Sequence, residues 1–506
     1  MIAEMQIDYS DPIHYFWALL PEVVLSLWAM IVLLVDVFQK GDRSEPSRPI
    51  VTWLAFAGIG AAAIANAWLA TVSEVGTTGM IAVDGFRIFT NYLLLLGGAL
   101  FVPISTRYLE QEHLRLGEVY ALVLLSLVGM MVFAGARDLM VIFLGLELMS
   151  VGVYVLTGVN RRDLRSAEAA LKYFLLGAFS SAFFLFGIAL LFGGTGTVNI
   201  ALISAVIGVD GLGANLLVLV GMALLAAGFG FKVAAVPFHM WTPDAYEGAP
   251  APITAFMAVA VKASAFAALL RVFLTAFPGL YDTWGAMVFP FALVTMVAAN
   301  VLAAVQGNVK RMLAYSSIAH AGYLLVALAA ASTLGTASFL FYLLVYTLMT
   351  VGAFAVLAVV ARPGEQRLDL ADYAGLGWRH PVLGVTMTVF LLSLAGFPLT
   401  GGFVGKVYIL RAAVDKGMIW LAIVLALASL ISYWYYLRLA WYMWFREPER
   451  PDVHGDVQVS PGLRVALVAA ALAVVALGVF PGALLDLAER SAAALTSAAT
   501  LGVLAP

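Results

Sequence analysis

Fourteen runs of roughly twenty apolar residues follow one another along this chain, and that spacing restricts what it can fold into. About twenty helical residues cross a ~30 Å hydrocarbon layer. Such a layer admits only helices or closed barrels, because every backbone polar group must find its partner inside the protein. The spans read at 14–38, 50–72, 86–106, 117–135, 137–158, 167–193, 214–237, 252–277, 286–306, 310–331, 336–361, 381–415, 418–445 and 462–484. With 63% hydrophobic residues, only 11% charged and a mean hydropathy of +0.99, the chain is an all-α polytopic membrane protein. Its medium is the lipid bilayer, and no basic patch suggests nucleic acid. The amino terminus, MIAEMQIDYSDPIHYFW, is acidic and runs into a long apolar stretch, so no cleaved targeting segment is expected.

Orientation follows from the basic residues of the short loops. Alternate connections collect Lys40, Arg43 and Arg48; Arg107 and Arg115; Arg161, Arg162 and Arg165; Lys310 and Arg311; Arg362, Arg367 and Arg379; Arg446, Arg450 and Arg464. The other side holds Arg87, Arg137, Lys416 and Arg490. The bias places both termini outside the cytoplasm. Aromatic residues from Tyr433 to Phe445 crowd the proposed cytoplasmic end of the thirteenth span, as interfacial belts do.

Charges inside the spans are few and therefore informative. A Lys at the centre of a bilayer helix costs about 2.5–3.5 kcal/mol on insertion scales, so such residues usually face a polar interior. Lys232 and Lys262 flank PFHMWTPDAYEGAPAP, a stretch containing Pro237 and His239. Burial disfavours a charged ammonium and a nearby carboxylate restores it, so moving that carboxylate would load and unload a lysine. Glu147, deep in the fifth span, is the natural partner for Lys232. The bland alternative is a static buried ion pair.

Pro237 removes a backbone donor and clashes with the carbonyl of Val233, which predicts a break beside Lys232. Pro398 predicts a second break, in the twelfth span beside Lys406. Broken helices line cavities in transporters. His239 follows Lys232 by seven residues, two turns on, and an unbroken helix would put both on one face as a relay. His320 lies mid-span among hydroxyls. Lys172, a turn inside the sixth span, has the stem length to snorkel to the headgroups. Arg438 reads as an anchor or fixed counter-charge, and Arg271 and Arg411 as end-of-helix residues.

An internal repeat is suggested by GFGFKV at 228–233 and GFVGKV at 402–407, 174 residues apart. Nearly the same offset pairs Glu147 with His320 and Lys262 with Arg438. Five spans separate each pair, so the halves would be inverted in the membrane.

The chain has no cysteine, which removes disulfides, thiolate metal sites and cysteine-ligated iron–sulfur clusters. Its six histidines lack the paired spacing of a metal or haem site. No Walker loop, dinucleotide fingerprint or H-E-x-x-H site occurs. The expectation is that this chain carries no cofactor of its own.

Taken together, Lys232 to Pro252 with Lys262, the segment EAALKYFLLGAFSS from Glu168, and GGFVGK ending at Lys406 resemble the antiporter-like subunit N family of bacterial respiratory NADH:quinone oxidoreductase, complex I. The resemblance runs from about Pro21 to Arg438. It implies proton-channel roles for Glu147, Lys232, Lys262 and Lys406, with Lys172 and His239 as further polar-axis members. It also implies membrane helices 1–3 in residues 1–116, two inverted five-helix repeats in 117–278 and 286–445 with broken seventh and twelfth helices, and a last helix and tail in 446–506. NADH, FMN, iron–sulfur clusters and quinone would sit on partner subunits, with subunits K and M as neighbours in a bacterial plasma membrane. The expected activity is proton translocation along Glu147, Lys232, Lys262 and Lys406, joined by His320. Two other classes stay open: a subunit of a multi-subunit cation/proton antiporter, and a passive scaffold of a membrane arm.

Overall fold

The computed structural model describes residues 6–38, 49–75, 79–114, 116–361, 364–448 and 457–501. Lys40, Arg43, Arg48, Arg115, Arg362 and Arg450, all counted in the loop bias, lie outside them. Among the described residues thirteen helices are long and apolar enough to cross a membrane. The region read as the twelfth span adds a pair of shorter helices, Pro381–Ala395 and Gly401–Asp415.

Burial sorts these spans into an inner and an outer set. The eighth, Ala251–Ala276, is buried along its whole length, and the tenth, Val309–Ala330, nearly so. The eleventh, Thr333–Val360, packs against both halves of the twelfth and against Ala251–Phe256 of the eighth. The sixth (Leu164–Thr195) and thirteenth (Ile419–Phe445) turn Leu, Phe and Trp outward, as lipid-facing helices do.

Both expected breaks are present. The seventh span runs as Leu216–Val233, ends on Ala234 with φ +61°, passes through Pro237 and resumes as Trp241–Gly248. The twelfth ends its first half on Gly396, φ +89°, where a left-handed backbone suits a residue without Cβ, and resumes at Gly401 beyond Pro398. A break in an apolar medium leaves backbone groups that other parts of the protein must satisfy. In the seventh span the Trp241 indole donates to the Phe231 carbonyl at 2.9 Å, and the Val236 N–H donates to Thr295 Oγ1 of the ninth span at 2.9 Å. In the twelfth, Tyr433 donates to the Gly396 carbonyl at 2.9 Å, and the carbonyls of Leu394 and Ala395 accept from Lys406 at 2.9 Å each. The eighth span adds a π-helical turn at Met257–Val261, immediately before Lys262. Such bulges re-aim the residues that follow them.

The two hexapeptides GFGFKV and GFVGKV fall on opposite sides of their breaks: 228–233 precedes one and 402–407 follows the other. Their likeness is therefore not an equivalence of position. A different correspondence is built into the backbone. An antiparallel bridge pairs Asp138 with Asn199, ahead of the fifth span (Leu139–Thr157) and after the sixth. Another pairs Asn308 with Asp369, ahead of the tenth and after the eleventh; each partner lies 170 positions further on. The hydrogen bonds match as well. Leu139 N–H to Val198 O (2.9 Å) and Ile200 N–H to Arg137 O (2.9 Å) recur as Val309 to Leu368 (2.7 Å) and Leu370 to Gly307 (3.1 Å). In this register His320 corresponds to Ser150, and Glu147 to Ser317, one turn away from the pairing that the hexapeptides suggested. Five crossings separate the bridges, which puts them at opposite ends of the bundle.

Candidate functional site

The spans carry four titratable groups into the interior that the sequence had singled out. Lys232, Lys262, His320 and Lys406 are each 5% exposed or less.

Lys232 occupies the last turn before the seventh-span break. Its ammonium donates to Ser150 Oγ at 2.7 Å and to the Tyr154 hydroxyl at 3.3 Å, both on the fifth span. The ion pair expected with Glu147 is not formed. Ser150 already spends its proton on the Leu146 carbonyl and so presents a lone pair to Lys232. Glu147, Ser150 and Tyr154 lie at i, i+3 and i+7, on one stripe of that helix. Glu147 is half-buried, and its Oε1 is enclosed with no hydrogen-bond partner.

Lys262, directly after the π-helical turn, donates to the Ser317 carbonyl at 2.7 Å and to Ser317 Oγ at 2.5 Å, both on the tenth span. Tyr346 of the eleventh span donates to the same Oγ at 2.9 Å. One residue back, Ser316 Oγ hydrogen-bonds the Tyr436 hydroxyl, which meets His320 Nε2 at 3.1 Å. His320 Nδ1 meets the Tyr342 hydroxyl at 2.6 Å. Spans 8, 10, 11 and 13 thus converge on a cluster of Lys262, two serines, three tyrosines and a histidine. Hydroxyls accept and donate at once, so a proton can be passed along such a chain by successive rotations.

Lys406 holds the twelfth-span break and stands 4.7 Å from the ring centre of Tyr323. The C-terminal carbonyls of a half-helix carry partial negative charge, which supplies part of what an absent carboxylate would. From the Lys232 pocket a series of aromatic rings in edge-to-face and stacked contact leads away. Tyr154 lies 4.7 Å from Tyr173, Tyr173 lies 4.3 Å from Trp241, and Trp241 lies 6.1 Å from Tyr246.

Two further residues read from the sequence stand apart. Lys172 has a side chain 44% exposed and pairs with Glu168 at 2.8 Å and Asp244 at 2.9 Å. It belongs to a charged rim, with Arg165 and Glu247, around a cavity of about 150 Å³. His239 sits within the seventh-span break, so the two-turn register with Lys232 does not exist, and its Nδ1 has no hydrogen-bond partner.

Three buried ion pairs escaped the sequence reading. Arg271, expected at a helix end, is 1% exposed and grips Asp84 through two bonds of 2.7 and 3.0 Å. Burial by itself raises the Asp84 carboxyl, but the Arg271 and Arg137 guanidiniums outweigh it and hold the group well below the usual carboxylate range. Arg87 pairs with Glu22 at 2.7 Å. Lys310, counted among the solvated loop charges, is fully buried against Glu365 at 2.5 Å. Glu365 also accepts from the Tyr108 hydroxyl at 2.9 Å and from the Ala251 N–H that starts the eighth span, at 2.7 Å. These pairs sit close to the ends of their spans, where hydropathy does not distinguish a buried charge from a wet one. The signals within reach were the i, i+3, i+7 stripe of Glu147, Ser150 and Tyr154, and the tyrosines spaced by four at 342 and 346.

Residues 136–432 match the family described as "NADH:quinone oxidoreductase/Mrp antiporter, TM". A protein of Trichlorobacter lovleyi named NADH-quinone oxidoreductase subunit N is 46% identical over 475 residues, 94% of this chain and 96% of that one. The chain belongs to the NADH-quinone oxidoreductase subunit N family. A chain of respiratory complex I from Thermus thermophilus, solved with bound aureothin, shares the fold of this chain. Its TM-score is 0.77 and its identity 35%, covering 93% of this chain and 99% of that one. A chain of the membrane-bound sulfane sulfur reductase, an archaeal respiratory membrane complex, gives a TM-score of 0.83 at 25% identity, covering 96% and 99%. The chain is a multi-pass membrane protein of this family, and its interior holds Lys232, Lys262, His320 and Lys406 besides the buried ion pairs.

Proposed function

We propose that this chain translocates protons within an NADH:quinone oxidoreductase, along a row running Glu147, Lys232, Lys262, His320, Lys406. The observation that carries the reading is that three lysine ammoniums are buried with no carboxylate among the described residues paired to them and are held by hydroxyls and carbonyls, which stabilise the charge less than a carboxylate does. Hydroxyls and carbonyls let an ammonium move to another acceptor, as a locked ion pair does not. Glu147, one turn from the Lys232 site, is the switchable partner: approach of its carboxylate loads Lys232, and withdrawal passes the proton on. Ser317, Tyr346, Ser316, Tyr436 and Tyr342 form the middle of the path.

The matching bridges at residues 138 and 308 support two inverted halves, near 117–278 and 286–445, each contributing a broken helix. The loop charges support both termini lying outside the cytoplasm of a bacterial plasma membrane. NADH, flavin, iron–sulfur and quinone chemistry belongs in this reading to partner subunits, with subunits K and M as membrane neighbours. The complexes in which related chains were solved favour such partners. The relatives' names favour the oxidoreductase over a cation/proton antiporter.

The test is Lys262→Ala in the assembled complex, reconstituted into vesicles. NADH oxidation through an artificial acceptor stays at its wild-type rate while proton uptake falls by at least tenfold. Undiminished uptake per NADH oxidised would assign the chain to a scaffold.

A further inference from the structure

We infer that the thirteenth span carries a binding site for an anionic glycerophospholipid, its phosphate seated on Arg438. This inference does not rest on the proton-row reading. A groove of about 630 Å³ opens on the outer side of the bundle, lined by Tyr433, Trp434, Leu437, Arg438, Trp441 and Tyr442. Its walls are almost wholly apolar or aromatic, and Trp434 and Trp441 are 63% and 44% exposed. The helix has 27 residues, about 40 Å, longer than a ~30 Å hydrocarbon layer. Arg438 lies seven residues before Phe445, about 10 Å along the axis. That depth is just below the headgroup boundary, where a lipid phosphate and its glycerol ester groups meet the chains.

Arg438 does not behave as a snorkelling residue. One Nη donates inward to the Gln306 carbonyl, which pins the guanidinium against the loop between the ninth and tenth spans. Its Nε is enclosed and has no hydrogen-bond partner. Among the described residues no carboxylate forms an ion pair with it. A fixed cation at this depth in a groove open to lipid is costly unless an anion meets it.

A second cation attends the same groove. Arg446, at the end of the helix, stacks its guanidinium 5.1 Å from the ring centre of Trp441 and 5.8 Å from that of Tyr442, two of the lining residues. Arg446 is the first residue beyond the helix, and its stack on Trp441 and Tyr442 carries its charge to the end of the groove that Arg438 lines. The two arginines bracket the groove, one inside it and one at its mouth. Apolar walls for acyl chains, indoles at the interface and two cations at headgroup depth together fit a phospholipid with net negative charge, not a zwitterionic one.

The test uses the whole complex in vesicles containing a photoactivatable phosphatidylglycerol or the matching phosphatidylcholine, with crosslinks mapped by peptide mass spectrometry. In the wild type, labelling of residues 430–446 by phosphatidylglycerol should exceed that by phosphatidylcholine several-fold. Arg438→Gln should bring it down to the phosphatidylcholine level, and Arg438→Lys should retain part of the preference. Equal labelling by the two lipids in the wild type would overturn the site, and this arm does not depend on any variant assembling. Undiminished preference in Arg438→Gln, or crosslinking of this peptide to a neighbouring subunit in place of lipid, would overturn it too.

Discussion

Lys232 donates to Ser150 at 2.7 Å, three residues beyond Glu147 on the same stripe of the fifth span. The lysine is thus parked on a neutral hydroxyl while the one carboxylate within a helical turn has an empty acceptor. In the proposed path these are two sites for one ammonium, a turn apart, and a small movement of either helix would shift the balance between them.

Ser150→Ala removes the parked site. A hydrogen bond to a charged group is worth about 1.5–3 kcal/mol, and ~1.4 kcal/mol is tenfold in rate. Proton uptake by vesicles should fall about tenfold or more, with electron transfer to an artificial acceptor unchanged. Tyr154→Phe, which removes the longer contact at 3.3 Å, should cost less.

Tyr346→Phe and Tyr436→Phe cut the hydroxyl chain without removing a ring. Each should lower proton uptake several-fold while complex assembly stays intact, and the double variant should fall no further than the weaker single one, because both interrupt one path. Uptake measured by a pH-sensitive dye in vesicles reads this, and strictly additive losses would argue for two paths.

Lys406 serves its helix break as well as its proposed chemistry. Lys406→Ala leaves the Leu394 and Ala395 carbonyls without their donors in an apolar setting. Hydrogen–deuterium exchange across residues 392–404 should quicken, by a factor corresponding to about 2 kcal/mol of local stability. Lys406→Arg, which keeps donors at the site, should show much less.

Asp84 anchors Arg271 near one end of the bundle. Asp84→Asn breaks a buried pair, at a cost of about 3 kcal/mol in thermal or denaturant unfolding. Because the native carboxyl is held low, its contribution is fully present above the unfolded value of about 3.9 and is lost only as pH falls below that, towards the depressed native value. The stability gap between wild type and variant should therefore stay level from pH 8 to about 5 and narrow only in stronger acid.

How far the sequence could be read follows from what each signal measures. Apolar runs located the spans because a bilayer imposes a length, and Pro237 and Pro398 located the breaks because proline lacks a donor. Lys232, Lys262 and Lys406 stood out because charge in lipid is costly. Their partners did not, because serine and tyrosine are common in membrane helices and only packing makes Ser150 and Ser317 neighbours of a lysine and joins Tyr346 and Tyr436 to the cluster. Glu147 was paired with Lys232 on charge alone, and the structure prefers the hydroxyl one turn on. Lys310 was counted as a loop cation because hydropathy cannot see that Glu365, in the loop after the eleventh span, packs against it and buries it. His239 lost its register with Lys232 to the same break that the proline announced.

The measurement that bears most directly on the central claim is the number of protons moved per NADH oxidised by the assembled complex carrying Lys232→Ala, in sealed vesicles. Proton translocation along the row predicts that this ratio collapses while NADH oxidation by an artificial acceptor persists. A wild-type ratio, coupled to quinone reduction, would contradict it.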